Sequence, residues 1–147
     1  MRLSGILTSS LSTQFIICSR RSLMKDYLIV CLCSIVESVG QGVTEFEPGD
    51  HVLTLFTGEC MKCKHCTSNK SNMCQVLGLE RQGLMHSDHK TRFSIKGKPI
   101  FHYCAVSSFS EYTVVHSGCA VKICSTAPLD RICLLSCGVA AGNILFP

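Results

Sequence analysis

Cys60, Cys63, Cys66 and Cys74 fall within fifteen residues, in the pattern Cys-x2-Cys-x2-Cys-x7-Cys. Two-residue gaps curl the backbone so that successive thiols face one point, and the longer gap returns a fourth. That spacing suits a tetrahedral ion with Zn–S bonds of ~2.3 Å. Lys62, Lys64, His65 and Lys70 are interleaved with the thiols. Their charge offsets the double negative charge of a zinc tetrathiolate and depresses the thiol pKa values. A shell filled by protein leaves no open position, so a structural zinc is expected, one per chain. Disulfides are the weaker alternative, because bonded pairs would crowd a small loop with several competing pairings. An iron–sulfur cluster also takes four cysteines, but with different spacing and a more apolar setting.

The chain that must position this cluster has 147 residues, room for one ordinary domain or slightly more. An apolar fraction of 46% against 16% charged residues describes a core-forming chain and excludes a disordered charged tail. Net charge is +4, unevenly spread. Residues 1–33 carry Arg2, Arg20, Arg21 and Lys25 against Asp26, hence +3, and residues 34–147 carry ten bases against nine acids, hence +1. The nearly neutral remainder argues against nucleic acid as a partner. The longest apolar run, Tyr27 to Val36, is far short of the ~20 residues of a membrane span, so no membrane partner is expected. Twelve cysteines, most of them beside apolar neighbours, point to a reducing compartment with a metal site, and the cytoplasm is the expected location.

Residues 1–33 are Ser/Thr-, Leu- and Arg-containing and poor in acid, loosely like an organelle presequence, which would make the location organellar. They are expected to pack poorly and to stand apart from the fold that follows. From Ser34 strand-like runs and turns take over. Ile35-Val36 leads into Gly40-Gln41-Gly42, and Pro48-Gly49-Asp50 precedes His51–Phe56. A polar Cys-rich lobe, about 57–91, follows, and loops of that length are functional or pinned. Strands are expected again at Arg92–Ile95, Glu111–His116 and Cys119–Ile123. A helix is expected from Pro128 as its first-turn proline.

Several motifs stand in order along the chain: Ile35-Val36-Glu37-Ser38-Val39-Gly40, Pro48-Gly49-Asp50-His51-Val52, Gly58-Glu59-Cys60 with its cysteines, Gly97-Lys98-Pro99-Ile100, Ser108-Phe109-Ser110-Glu111-Tyr112-Thr113-Val114-Val115 and Leu134-Leu135-Ser136-Cys137-Gly138-Val139. Together, from about Ile35 to Gly142, they resemble the zinc-containing medium-chain alcohol dehydrogenases, in particular the plant alcohol dehydrogenase-like proteins. The resemblance implies a mainly β fold with minor α: an irregular chaperonin-10-like β-barrel, the catalytic domain spanning 34–142, with a structural-zinc lobe. It implies alcohol or aldehyde substrates, NAD, a second, catalytic zinc acting as a Lewis acid, and a homodimer. Carried over by position, Cys60, Cys63, Cys66 and Cys74 are the structural-zinc ligands and Cys137 a catalytic-zinc ligand. Without the resemblance Cys137 reads as a buried helix-start cysteine. Phe56, Tyr103 and Cys104 fall at substrate-pocket positions, where core packing accounts for them equally well.

The departures bear on activity. Where the family has Gly-His-Glu, whose His ligates the catalytic zinc, this chain has Ile29, Val30 and Cys31, and nothing in Met1–Val30 matches the upstream ligand and proton-relay segment. Cys18, Cys31 and Cys33 lie nearby without the spacing to replace them. After Gly142 the family continues into a Rossmann domain, whereas residues 143–147 here match nothing, and no Gly-x-Gly-x-x-Gly occurs in the chain. Three readings follow: a zinc- and NAD-dependent dehydrogenase; a non-catalytic zinc-binding fragment without a Rossmann domain; and an interaction protein using an uncovered apolar face. The expectation is an inactive truncated form holding one structural zinc.

Overall fold

The computed structural model describes residues 15–19 as a backbone strand, and residues 33–79, 82–86, 88–103, 107, 112–139 and 142. Strands dominate. They are β1 (Phe15–Ser19), β2 (Cys33–Val39), β3 (His51–Thr54), β4 (Phe93–Ile95), β5 (Lys98–Ile100), β6 (Tyr112–His116) and β7 (Ala120–Lys122). Helix α1 (Leu129–Ile132) is a single turn that tightens into a 3₁₀ turn at Cys133–Ser136. Among the described residues no helix is long and apolar enough to cross a membrane.

Five strands pair antiparallel in the order β6-β1-β2-β3-β7. The two edge strands, β6 and β7, are joined only by the three residues Ser117–Cys119. Four strand spacings in a flat sheet separate its edges by ~19 Å. The four Cα steps from His116 to Ala120 reach at most ~14 Å. The sheet therefore has to curl until its edges approach, which gives a barrel left open between β6 and β7 among the described residues. A bulge in β2, where Glu37 is left unmatched as Ile17 pairs with Ser38 and Cys18 with Val36, supplies extra bending.

Period-two alternation decides what lies on each side. Val52 on β3 joins Val36, Phe46 and Val115 in one core. The next residue, Leu53, points the opposite way and meets Cys33 and Cys133, with Leu129 and Ile132 of α1 packed against them. Both faces of β3 are thus covered, one by the curl of the sheet and the other by α1. The turn before β3 needs a left-handed residue, and Gly49 takes it at φ +95°. Asp50 closes that turn by accepting from the Glu47 N–H at 2.8 Å, and it pairs with Lys122 on β7 at 2.7 Å. The hydrogen bond from Lys122 and then the Glu47 N–H hold its carboxyl below the usual range.

Three expectations need correcting. Residues 1–33 do not all stand apart, because Phe15–Ser19 lies between β6 and β2, inside the sheet, while β2 begins at Cys33. The helix expected from Pro128 starts at Leu129, so Pro128 is its N-cap and not its first-turn proline. Lys98–Ile100 is a strand as well. It pairs with β4 across the two-residue turn Lys96-Gly97, whose φ values of 48° and 81° are those of a type I′ hairpin.

The β4–β5 hairpin is anchored at its base by His102. The Arg92 N–H donates to His102 Nε2 at 3.0 Å, the His102 N–H donates to the Gly83 carbonyl at 2.6 Å, and the ring stands edge-on to Phe93 with centroids 4.8 Å apart. Nε2 can accept only while the imidazole is neutral. Burial, reinforced by the Arg92 charge, pulls the His102 pKa to about 4 from its ordinary 6.5.

Two outcomes test this fold. Ile17 pairs with Val114 on one side and Ser38 on the other. Ile17→Pro removes a ladder donor and should destabilise the sheet by about 3 kcal/mol, read as a lower urea midpoint. An unchanged midpoint would mean that the strand is dispensable. For His102 the folded state binds fewer protons than the unfolded state between pH 6.5 and about 4. Its contribution to stability is complete above 6.5 and is lost as pH falls through that window. His102→Gln keeps an acceptor that does not titrate, so its midpoint should fall less steeply with acid than that of the wild type.

Candidate metal centre

The lobe leaves the sheet after β3 and returns to the β6–β7 turn. Its base is two backbones in close contact. The Leu55 N–H donates to the Cys119 carbonyl at 2.8 Å and the Glu59 N–H to the Gly118 carbonyl at 3.0 Å. A Cβ on Gly58 would come within 2.5 Å of Cys119 Sγ, and one on Gly118 within 2.5 Å of the Glu59 carbonyl oxygen. No side chain fits at either position, so the two glycines set how closely the lobe seats on the sheet. His116 locks the facing turn, its Nδ1 accepting from the Gly118 N–H at 3.0 Å.

Above this base the four expected cysteines converge. Their sulfur atoms all lie within 4.8 Å of one another. Cys60 and Cys66 are 4.0 Å apart, as are Cys63 and Cys74. A tetrahedron with Zn–S bonds of ~2.3 Å has edges of about 3.8 Å, so the four sulfurs already fit one ion. Backbone donors surround them: the Cys63 N–H points at Cys60 Sγ (3.3 Å), the Cys66 N–H at Cys63 Sγ (3.4 Å) and the Leu77 N–H at Cys74 Sγ (3.2 Å). The last belongs to the short turn Gln75–Leu79, which follows the fourth cysteine. Met61 sits at φ +61° between the first two cysteines. This left-handed residue lets the knuckle close.

The electrostatics show what the cluster lacks without a cation. N–H groups of Cys66 and Gln75 aimed at Cys63 pull its thiol to about 6, and N–H groups of Lys62 and Cys63 lower that of Cys60. Burial, together with the neighbouring Cys63 sulfur, pushes Cys66 up to about 12. Four thiols this close cannot all ionise side by side, so one carries the charge while a neighbour keeps its proton. A dication would let every proton leave. Cys60, Cys63, Cys66 and Cys74 are therefore fitted to hold zinc with all four positions filled by protein, and the zinc would cross-link the lobe.

The other expected site residues are not assembled in this way. Cys137 is half-buried just after the 3₁₀ turn, and among the described residues it belongs to no group of three candidate metal ligands. Cys33 is committed to the core around Leu53 and Cys133. The Ser136 hydroxyl donates to the Thr54 carbonyl at 2.8 Å, which puts Cys137 one residue from a contact with β3, and Phe56 lies two residues beyond Thr54. Phe56 is exposed and Tyr103 more so. Cys104, Cys31 and the positions Ile29 and Val30 lie outside the described residues. Gly118 and Cys119 were legible only as a turn and a strand start. Nothing along the chain marks them as the seat of a lobe that begins sixty residues earlier.

Comparison with known proteins agrees with this arrangement. Residues 28–125 match the alcohol dehydrogenase GroES-like domain family. Alcohol dehydrogenase-like 6 of Arabidopsis thaliana is 81% identical over 108 residues, 74% of this chain and 28% of that protein. An alcohol dehydrogenase of Malus domestica is 62% identical over 109 residues, again 74% of this chain, and 29% of its own length. The chain thus spans less than a third of these relatives. The solved structure of an alcohol dehydrogenase zinc-binding domain protein from Burkholderia ambifaria superposes with a TM-score of 0.68 at 26% identity, covering 88% of this chain and 40% of that one. With its mainly β fold and its four-thiol lobe, the chain belongs to the alcohol dehydrogenase GroES-like domain family.

Proposed function

We propose that these 147 residues hold one structural zinc on Cys60, Cys63, Cys66 and Cys74 and, alone, transfer no hydride. The observation that carries the zinc assignment is the closed set of four sulfurs, with opposite pairs 4.0 Å apart. In the longer proteins it resembles, such a domain would serve oxidation of an alcohol to an aldehyde or ketone with hydride transfer to NAD. A catalytic zinc there acts as a Lewis acid on the alcohol oxygen. Cys137 is the candidate ligand for it here, and Phe56, Tyr103 and Cys104 are candidate pocket residues. One ligand is too few to seat that ion. The chain also has no Gly-x-Gly-x-x-Gly turn to hold a pyrophosphate. We place the protein in the cytoplasm, a reading supported by its thiols: among the described residues no cysteine, those of the cluster included, is in a disulfide.

Two measurements decide. Elemental analysis of the purified chain should find one zinc, and two tightly held zincs would overturn the ligand count. Cys63→Ser should lose the metal and loosen the lobe, since binding free energy of order 10 kcal/mol in small zinc units is also folding free energy. The sheet should survive, because its core lies elsewhere. For catalysis, ethanol or longer primary alcohols with NAD should give no NADH above a buffer control. Zinc-dependent turnover would show that residues outside those described complete a second site.

A further inference from the structure

Between Leu84 and His89–Thr91 on one side and strand β5 on the other runs a groove of about 420 Å³, a size that suits a small ligand. Its walls are apolar, made by Leu84, Pro99, Ile100 and Phe101, and Lys90 supplies a cationic group to the same lining. Phe101 is 72% exposed, more than any core function would require of a phenyl ring. It is held in place from behind, because a Cβ on Gly83 would come within 2.9 Å of Phe101 Cβ. The floor is tied down as well, Thr91 Oγ1 donating to the Ile100 carbonyl.

Charge identifies the occupant. Residues 82–103 carry Lys90, Arg92, Lys96 and Lys98 against Asp88 alone, four minus one, so this stretch holds +3 while the rest of residues 34–147 nets −2. Asp88 is already committed, to Arg92 at 2.6 Å and to the Lys90 N–H at 3.1 Å. Among the described residues no carboxylate pairs with Lys90, Lys96 or Lys98. An apolar groove with unpaired ammonium groups complements a molecule that is apolar along its length and carries one negative charge.

We propose that this groove binds a medium-chain carboxylate, its alkyl chain against Leu84, Ile100 and Phe101 and its carboxylate beside Lys90. The test is calorimetric titration of decanoate into the zinc-loaded full chain. One-site binding is expected. Lys90→Glu should weaken it about tenfold, the factor that 1.4 kcal/mol represents, and Phe101→Ala at least as much, although that side chain supports no core. Leu135→Ser, on the exposed turn after α1, should leave it unchanged. Decanol binding as tightly as decanoate would overturn the charge assignment. Equal loss with Leu135→Ser would expose non-specific adsorption. Binding to phosphatidylglycerol vesicles without binding of free decanoate would assign the patch to a lipid surface instead and overturn the proposal.

Discussion

Four sulfur atoms held within 4.8 Å of one another are a source of strain unless a cation sits among them, and the lobe is built around that condition. Its apolar support is thin. Leu77 and Cys119 are buried beside Cys74, and the other three cysteines pack against them. Such a cluster is too small to offset the entropy of ordering a stretch of more than thirty residues. The N–H groups aimed at the sulfurs stabilise thiolate charge but cannot accommodate four charges together. A zinc ion held by the four thiolates would do both jobs, neutralising the repulsion and cross-linking the loop.

The sheet is stabilised in the opposite way, by continuous apolar contact. Its curl follows from topology, since a three-residue turn joins strands that a flat sheet would hold apart. The same turn receives the lobe through Gly118 and Cys119. The element that bends the sheet and the element that seats the zinc site are therefore one. A change at Ser117–Cys119 would be felt in both.

Charge is distributed with the same economy of elements. From residue 34 onward the chain nets only +1, yet the β4–β5 hairpin and its approach carry +3 beside exposed apolar side chains. Neutral His102 fixes that hairpin without adding to its charge. The hairpin can thus stay cationic at neutral pH without repulsion at its anchor.

The metal cluster was legible in the sequence because its ligands are local. Spacings of two, two and seven residues constrain where thiols can point, whatever surrounds them. The family was legible because its motifs recur in order, and strands such as His51–Thr54 were legible from β-branched residues next to turn signals. What only the tertiary structure decided is non-local. Phe15–Ser19 carries no family pattern and sits beside Arg20-Arg21, yet two neighbouring strands with unfilled backbone donors and acceptors take it up as their partner. Gly97 was visible as a residue, but its role as the second half of a hairpin turn depends on Lys98–Ile100 finding Phe93–Ile95. Gly58 and Gly118 are sixty positions apart, and their contact exists only because the sheet curls. Local spacing fixes a ligand set, whereas backbone pairing and close approach depend on which surfaces folding brings together.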